Sequence, residues 1–241
     1  PINWQTGEIV STHAPESVIA MGYTVADAQN SICERLFLDD YEWLLLWEDD
    51  VLPPFNALLQ FAQYMEKMTA PIISGLYFSK GMPSWPLLFR GRGNGCYLNW
   101  SFGDKIWCDG VPTGLLLIHG SIIKYLWKNS PEYSLPDGRK VRAVFNTPSE
   151  SWYDPEEDRY FTTMGTSDLR FCARIQEEDI FNKTGWGKFS NKRYPFLVDS
   201  NIYCQHIDLQ TGLVYPAKSP RVLWPVGNKK AVKGQTHDKR K

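Results

Sequence analysis

The stretch Trp43-Leu44-Leu45-Leu46-Trp47-Glu48-Asp49-Asp50-Val51-Leu52-Pro53-Pro54 constrains this chain more than any other. Its five apolar residues predict a strand buried on both faces, and three carboxylates follow at its C-terminal end. That end of a strand is where open α/β sheets gather ligands. The two prolines stop the strand and suit a first helical turn, so a helix is expected over residues 55–68 with Leu58, Leu59, Ala62 and Met65 inward. Adjacent carboxylates in a crevice repel one another, and desolvating them costs several kcal/mol unless a cation or a proton compensates. Alternation along the strand turns Glu48 and Asp50 to one side and Asp49 to the other. Hard oxygen ligands suit Mg²⁺ or Mn²⁺, ions that commonly carry substrate phosphates. The alternative is a solvated acidic turn.

The rest of the chain alternates strand and helix at the spacing of βαβ units. Thr24 and Asp27 have capping-box spacing ahead of a helix whose inward face is Val25, Ala28, Ile32 and Leu36, ending near Asp39-Asp40. A strand is expected over residues 71–77. Residues 78–109 turn to Gly, Pro and aromatics and are expected as a flexible loop; the glycine run 90–95 follows no strand and opens no helix, so it is no dinucleotide fingerprint. Residues 115–119 form another buried strand, and Ser121 caps a short helix with Ile122, Ile123, Leu126 and Trp127 inward. Residues 130–160 are polar and acidic, expected as a lid or a solvated insertion. A helix begins at Thr166-Ser167-Asp168, with Leu169, Cys172 and Ile175 on one side. A strand over residues 196–204 delivers Gln205-His206 just past its end.

A length of 241 residues accommodates one large α/β domain, and a formal net charge of −1 gives no electrostatic case for nucleic acid. Five cysteines without a CxxC pair argue against a disulfide framework and for a cytoplasmic setting. No run is long enough to span a membrane. The chain begins with Pro rather than Met, so an upstream segment is expected. Residues 228–241 carry Lys229, Lys230, Lys233, Lys239, Arg240 and Lys241 and read as a flexible basic tail after a domain over 1–227.

Three polar sites thus stand at element ends: Glu48 to Asp50, Asp168 and His206. The ordered set resembles the GT-A glycosyltransferases, especially the inverting enzymes of family 2. Trp47-Glu48-Asp49-Asp50-Val51 resembles their DxD-type motif, the segment from Asp109 to His119 their acceptor-side glycine segment and strand, Gly165 to Cys172 the segment bearing their catalytic acid, and Gln205-His206 their late metal-binding histidine. The sequence departs from the family pattern at Glu48, where Asp is usual, at Ser167, where Glu is common, and at Gln29, where Arg is common; the first strand is reduced to Pro1-Ile2-Asn3.

The resemblance implies a GT-A-like α/β domain with a mostly parallel central sheet flanked by helices, a Rossmann-like nucleotide-binding half and an acceptor half. It implies Asp168 as the catalytic base; donor contacts from Asn3, Asp27, Asn30, Glu48 and Asp49; acceptor contacts from Trp100, Trp107, Asp109, Thr113 and Gly114; and Mn²⁺ or Mg²⁺ on Asp50, His206 and Glu48. Trp47, Trp85, Trp152 and Trp186 are further candidates for a sugar platform. The expected partners are a UDP- or GDP-sugar donor and a glycan, lipid, small-molecule or protein acceptor. A retaining enzyme of the same fold, a nucleotide- or carbohydrate-binding relative without catalysis, and a nucleotidyltransferase are the alternatives. The last is expected to show a glycine-rich phosphate loop near its start, which this sequence lacks.

Overall fold

The structure is a computed structural model that describes residues 22–91 and 95–216. Asn3, the reduced first strand and the basic tail lie outside the described residues. In chain order the elements are α1 (Val25–Leu38), β1 (Trp43–Trp47), β2 (Val51–Leu52), α2 (Ala57–Lys67), β3 (Ile72–Leu76), β4 (Lys105–Cys108), β5 (Leu115–His119) and α3 (Gly120–Asn129). There follow β6 (Glu132–Ser134), β7 (Lys140–Arg142), β8 (Ser149–Asp154), β9 (Arg159–Met164), α4 (Ser167–Glu177), α5 (Ile180–Lys183), β10 (Phe196–Tyr203), β11 (Gln205–Ile207) and β12 (Val214–Tyr215). The described chain divides into two compact units, residues 45–117 with 192–216, and residues 22–44 with 118–191.

The first unit is organised by a five-stranded sheet of order β1-β5-β3-β10-β4. β3 is buried at every position because it lies inside the sheet, and β10 pairs with it in parallel, Leu197 opposite Ile73. β4 pairs antiparallel with β10, and a small sheet of order β12-β11-β2 is antiparallel throughout. The architecture is therefore α/β with a mixed sheet, and antiparallel pairing predominates among the described ladders where a mostly parallel sheet was expected. Part of the difference comes from the Gly, Pro and aromatic segment, which contains the edge strand β4 and the bridges Phe78 to Pro86 and Phe89 to Cys96, and is not a structureless loop. Antiparallel strands can close through such local turns, whereas parallel ones need a crossover.

β1 also departs from expectation. Leu44 and Leu46 are buried, Trp43 and Leu45 are half-buried and Trp47 is exposed, as suits a strand at the end of the sheet order. On α2 the buried side chains are Ala57, Phe61 and Tyr64, while Leu59 and Met65 face solvent. Tyr64 reaches under the sheet, where its hydroxyl donates to the buried carboxylate of Asp199 at 2.5 Å.

The second unit is helical, with two hairpins. Thr24 caps α1, accepting from the Asp27 amide, as its spacing predicts. The buried face is Ala26, Gln29, Asn30, Cys33 and Leu36, and Val25 is exposed, so the helix is turned by about one residue from its apolar pattern. The cause is Asn30. Its amide group donates to the Phe145 carbonyl at 2.8 Å and to the Tyr133 hydroxyl at 2.9 Å, and its oxygen accepts from the Phe145 amide at 2.8 Å. Asp27 accepts from the same Tyr133 hydroxyl at 2.7 Å. Ile122, Ile123, Leu126 and Trp127 of α3 are buried as expected, but the cap is His119, whose Nδ1 accepts from the Ser121 amide. The expected lid or insertion is two hairpins, β6–β7 and β8–β9.

Candidate functional site

The acidic turn between β1 and β2 stands at the end of the strand, as its sequence predicts. Glu48 and Asp50 are half-buried and Asp49 is exposed. Backbone bonds fix the turn: the Val51 amide donates to Glu48 O at 3.1 Å, the Glu48 amide to Gly114 O at 2.9 Å, and the Ile207 amide to Asp50 O at 2.7 Å. Pairing of β2 with β11 sets His206 opposite Val51. The two polar ends thereby meet, with His206 Nε2 3.3 Å from Asp50 Oδ2.

His206 is oriented by its other nitrogen. A carbonyl can only accept, so Nδ1, 2.8 Å from Phe78 O, carries a proton and donates it there. The Tyr77 ring packs edge-on against the imidazole, with centroids 5.5 Å apart. Nε2 is thus aimed at the carboxylate in the way outer groups orient metal-binding histidines. Lys80 completes the cluster, its ammonium 2.5 Å from the same Asp50 Oδ2. The hydrogen bond from His206 and the ion pair with Lys80 hold the Asp50 carboxyl at about 2, against burial, which acts to raise it. The other oxygen, Oδ1, is buried with no hydrogen-bond partner. A buried carboxylate oxygen without a donor costs free energy and calls for a water or an ion.

Glu48 is held by the acceptor-side segment, where the Thr113 hydroxyl donates to Glu48 Oε1 at 3.0 Å. The next residue, Gly114, donates its amide to the Tyr77 hydroxyl at 2.6 Å. A Cβ there would lie 2.3 Å from that hydroxyl and 2.9 Å from Val51, so only glycine lets the segment approach so closely.

No group of three or more His, Cys, Asp or Glu that could hold a metal occurs among the described residues. What is present is the Asp50–His206 pair with Glu48 on the same turn. For an octahedral ion with ligands at about 2.1 Å, neighbouring ligands lie about 3 Å apart, close to the observed Oδ2–Nε2 separation. The set fits an ion that takes its remaining ligands from water and substrate oxygens, and does not fit a closed structural site.

The other candidates separate by burial and partners. Trp100 and Trp186 are core residues, 5% and 6% exposed, and cannot serve as open platforms; the sequence did not reveal that Trp100 packs on Phe78 and Phe102. Trp107 is half-buried in β4 with the Lys192 ammonium 4.5 Å over its ring. Trp47, Trp85 and Trp152 remain exposed. Asp109 accepts from the Gly91 amide at 2.7 Å and shapes the loop. Asn30 is 1% exposed with both amide hydrogens committed, and the half-buried Asp27 shares its network, so in this structure both are engaged in bonds within the second unit. Asp168 is half-buried in the first turn of α4, its Oδ1 accepting from the Leu169 amide at 2.7 Å. Lys80 and Tyr77 were missed by sequence reasoning, although both stand just past β3, at the kind of strand end where ligands gather.

No protein-family model matches the chain, and no curated protein matches it. Among solved structures, A197 from STIV is similar at 10% identity with a TM-score of 0.45, over 79% of this chain and 74% of that one. That likeness is too slight to carry an argument. No described helix is long and apolar enough to cross a membrane.

Proposed function

We propose that this chain is a metal-dependent glycosyltransferase, moving a sugar from a nucleotide donor to a hydroxyl with inversion. The observation that carries the reading is the convergence of Asp50 Oδ2 and His206 Nε2, 3.3 Å apart, beside a buried and unpartnered Asp50 Oδ1. A Mn²⁺ or Mg²⁺ held by Asp50 and His206 would neutralise the charge that develops on a leaving nucleoside diphosphate. The imidazole nitrogen favours Mn²⁺ over Mg²⁺. In this reading Thr113 holds Glu48 in place for a ribose or metal contact, and Tyr77 braces the imidazole. The resemblance in sequence assigns the base to Asp168, whose location in a first helical turn favours the ionised form. The reading sets the chain in the cytoplasm, where its five free thiols stay reduced.

A binding protein without catalysis is the second reading. Lys80 favours it, because the ammonium balances Asp50 with no metal at all. A thermal-shift panel of UDP, GDP, dTDP and CMP with and without Mn²⁺ tests the primary reading. One nucleotide should stabilise the chain only with Mn²⁺, by about 2.7 kcal/mol at a hundredfold excess over its dissociation constant. A panel flat for every nucleotide sinks the primary reading and favours the binding protein. A metal-dependent shift without turnover on any donor leaves the binding protein. Asp168→Asn then tests the base, with transfer expected to fall roughly a hundredfold or more and nucleotide binding retained.

A further inference from the structure

An ammonium and an imidazole nitrogen converge on one oxygen in this cluster. Lys80 Nζ and His206 Nε2 both approach Asp50 Oδ2, at 2.5 and 3.3 Å, while Oδ1 has no partner. An ion bound between Asp50 Oδ2 and His206 Nε2 would share Oδ2 with the ammonium 2.5 Å away. The ammonium and a divalent cation also repel at such separations. That repulsion disfavours the two holding Oδ2 together.

The structure gives Lys80 the freedom to yield. Its backbone is pinned just beyond β3, where the Ser79 amide donates to Trp85 O at 2.8 Å and the Trp85 amide donates to Ser79 Oγ at 3.0 Å. Its side chain keeps about a third of its surface exposed, on a flexible four-carbon stem. An anchored base with a swinging arm lets the charge change partner without moving the sheet. The charges require such a partner. A divalent ion and the two negative charges of a sugar diphosphate cancel, and the leaving group then gains one more negative charge as the anomeric bond breaks.

We propose that Lys80 is a built-in counter-ion exchanged during donor binding: it occupies Asp50 in the free protein, is displaced by the divalent cation, and then pairs with the donor's diphosphate. This rests on the glycosyltransferase reading and adds a phosphate-binding residue to it. Lys80 accordingly opposes the metal when the metal comes alone and supports the metal when it comes with diphosphate.

The two effects have opposite signs, which a merely structural lysine cannot produce. The full chain and its Lys80→Gln and Lys80→Arg variants are titrated with Mn²⁺ alone, followed by the electron paramagnetic resonance of the free ion. They are then titrated with inorganic diphosphate at a fixed excess of Mn²⁺. Lys80→Gln should bind Mn²⁺ alone about tenfold more tightly than wild type and the diphosphate about tenfold more weakly, with Lys80→Arg near wild type in both. If wild type binds both probes and Lys80→Gln matches it, or loses Mn²⁺, the exchange is wrong while the metal and diphosphate reading stands. If wild type binds neither probe, that reading falls and the exchange falls with it. Should Lys80→Gln fail to fold, Lys80→Met keeps the apolar stem and carries the same two expectations.

Discussion

Two polar clusters in this molecule are built on opposite plans. Around Asn30 every strong group is closed: both amide hydrogens and the side-chain oxygen are spent on Phe145 and Tyr133, and Tyr133 in turn is held by Asp27. Around Asp50 one carboxylate oxygen draws the Lys80 ammonium and the His206 ring nitrogen, and the other has no partner. A closed cluster has already made the bonds it can make and contributes to the fold; an open one keeps capacity for something that arrives later. Residue type alone does not separate them, since sequence reasoning nominates Asp27 and Asn30 of the first as donor contacts and Asp50 and His206 of the second as metal ligands.

The contrast breaks most sharply at Asp50. Asp50→Asn keeps the shape but removes the charge on which Lys80 and His206 converge. The Mn²⁺-dependent thermal shift should disappear and sugar transfer should fall by a hundredfold to a thousandfold, about 3–4 kcal/mol of transition-state stabilisation. An Asn variant that retains its response to Mn²⁺ would make the cluster structural after all, and the distinction between open and closed would lose its meaning here. At Asn30 the expectation is inverted. Asn30→Ala strands a buried amide and a buried carbonyl of Phe145, so unfolding in denaturant should show a loss of about 2–3 kcal/mol, with metal response per folded molecule unchanged.

The closed cluster was also the less legible in sequence. Runs such as Ile72 to Leu76 and Leu115 to Ile118 announce themselves because burial on both faces demands unbroken apolar residues, and the ends of β1 and β10 then bring Asp50 and His206 together. The phase of α1 was lost because Gln29, Asn30 and Ser31 are buried, and a periodicity of apolar residues cannot see a polar side chain satisfied by a loop over a hundred positions away. The two hairpins leave little trace in the sequence because the described residues of β6 and β8 are largely exposed, so little alternation is required of them. Lys80 left no signal beyond its place after a strand.

Acid sharpens the comparison at a smaller scale. The Asp50 carboxyl is held at about 2 by the hydrogen bond from His206 and by Lys80, below the ordinary carboxylate value of about 3.9. The folded state therefore binds this proton less readily than the unfolded chain does. The resulting stability, on the order of 2 kcal/mol, is complete above pH about 4 and is lost as pH falls through about 2. Unfolding free energy measured across that window should fall less steeply in Asp50→Asn than in wild type. Equal slopes would mean that the ionised Asp50 gains nothing from its partners.

The smallest effect is expected at Thr113, and it asks whether the open cluster extends to Glu48. The Thr113 hydroxyl donates to Glu48 Oε1 at 3.0 Å, and Gly114 beside it is locked to Tyr77. Thr113→Val preserves the branched shape and removes that donor. A hydrogen bond from a neutral hydroxyl to a half-buried carboxylate contributes roughly 1 kcal/mol, because water can take the place of the lost partner. If Glu48 meets the donor or its metal, freeing the longer glutamate arm should cost a few-fold in nucleotide affinity, read in the same thermal-shift assay, with little change in melting temperature when no ligand is present. If Glu48 only shapes the turn, the balance reverses: the melting temperature of the free protein drops slightly and nucleotide affinity does not move. The sign of that small difference decides whether the site consists of Asp50 and His206 alone or of the whole acidic turn.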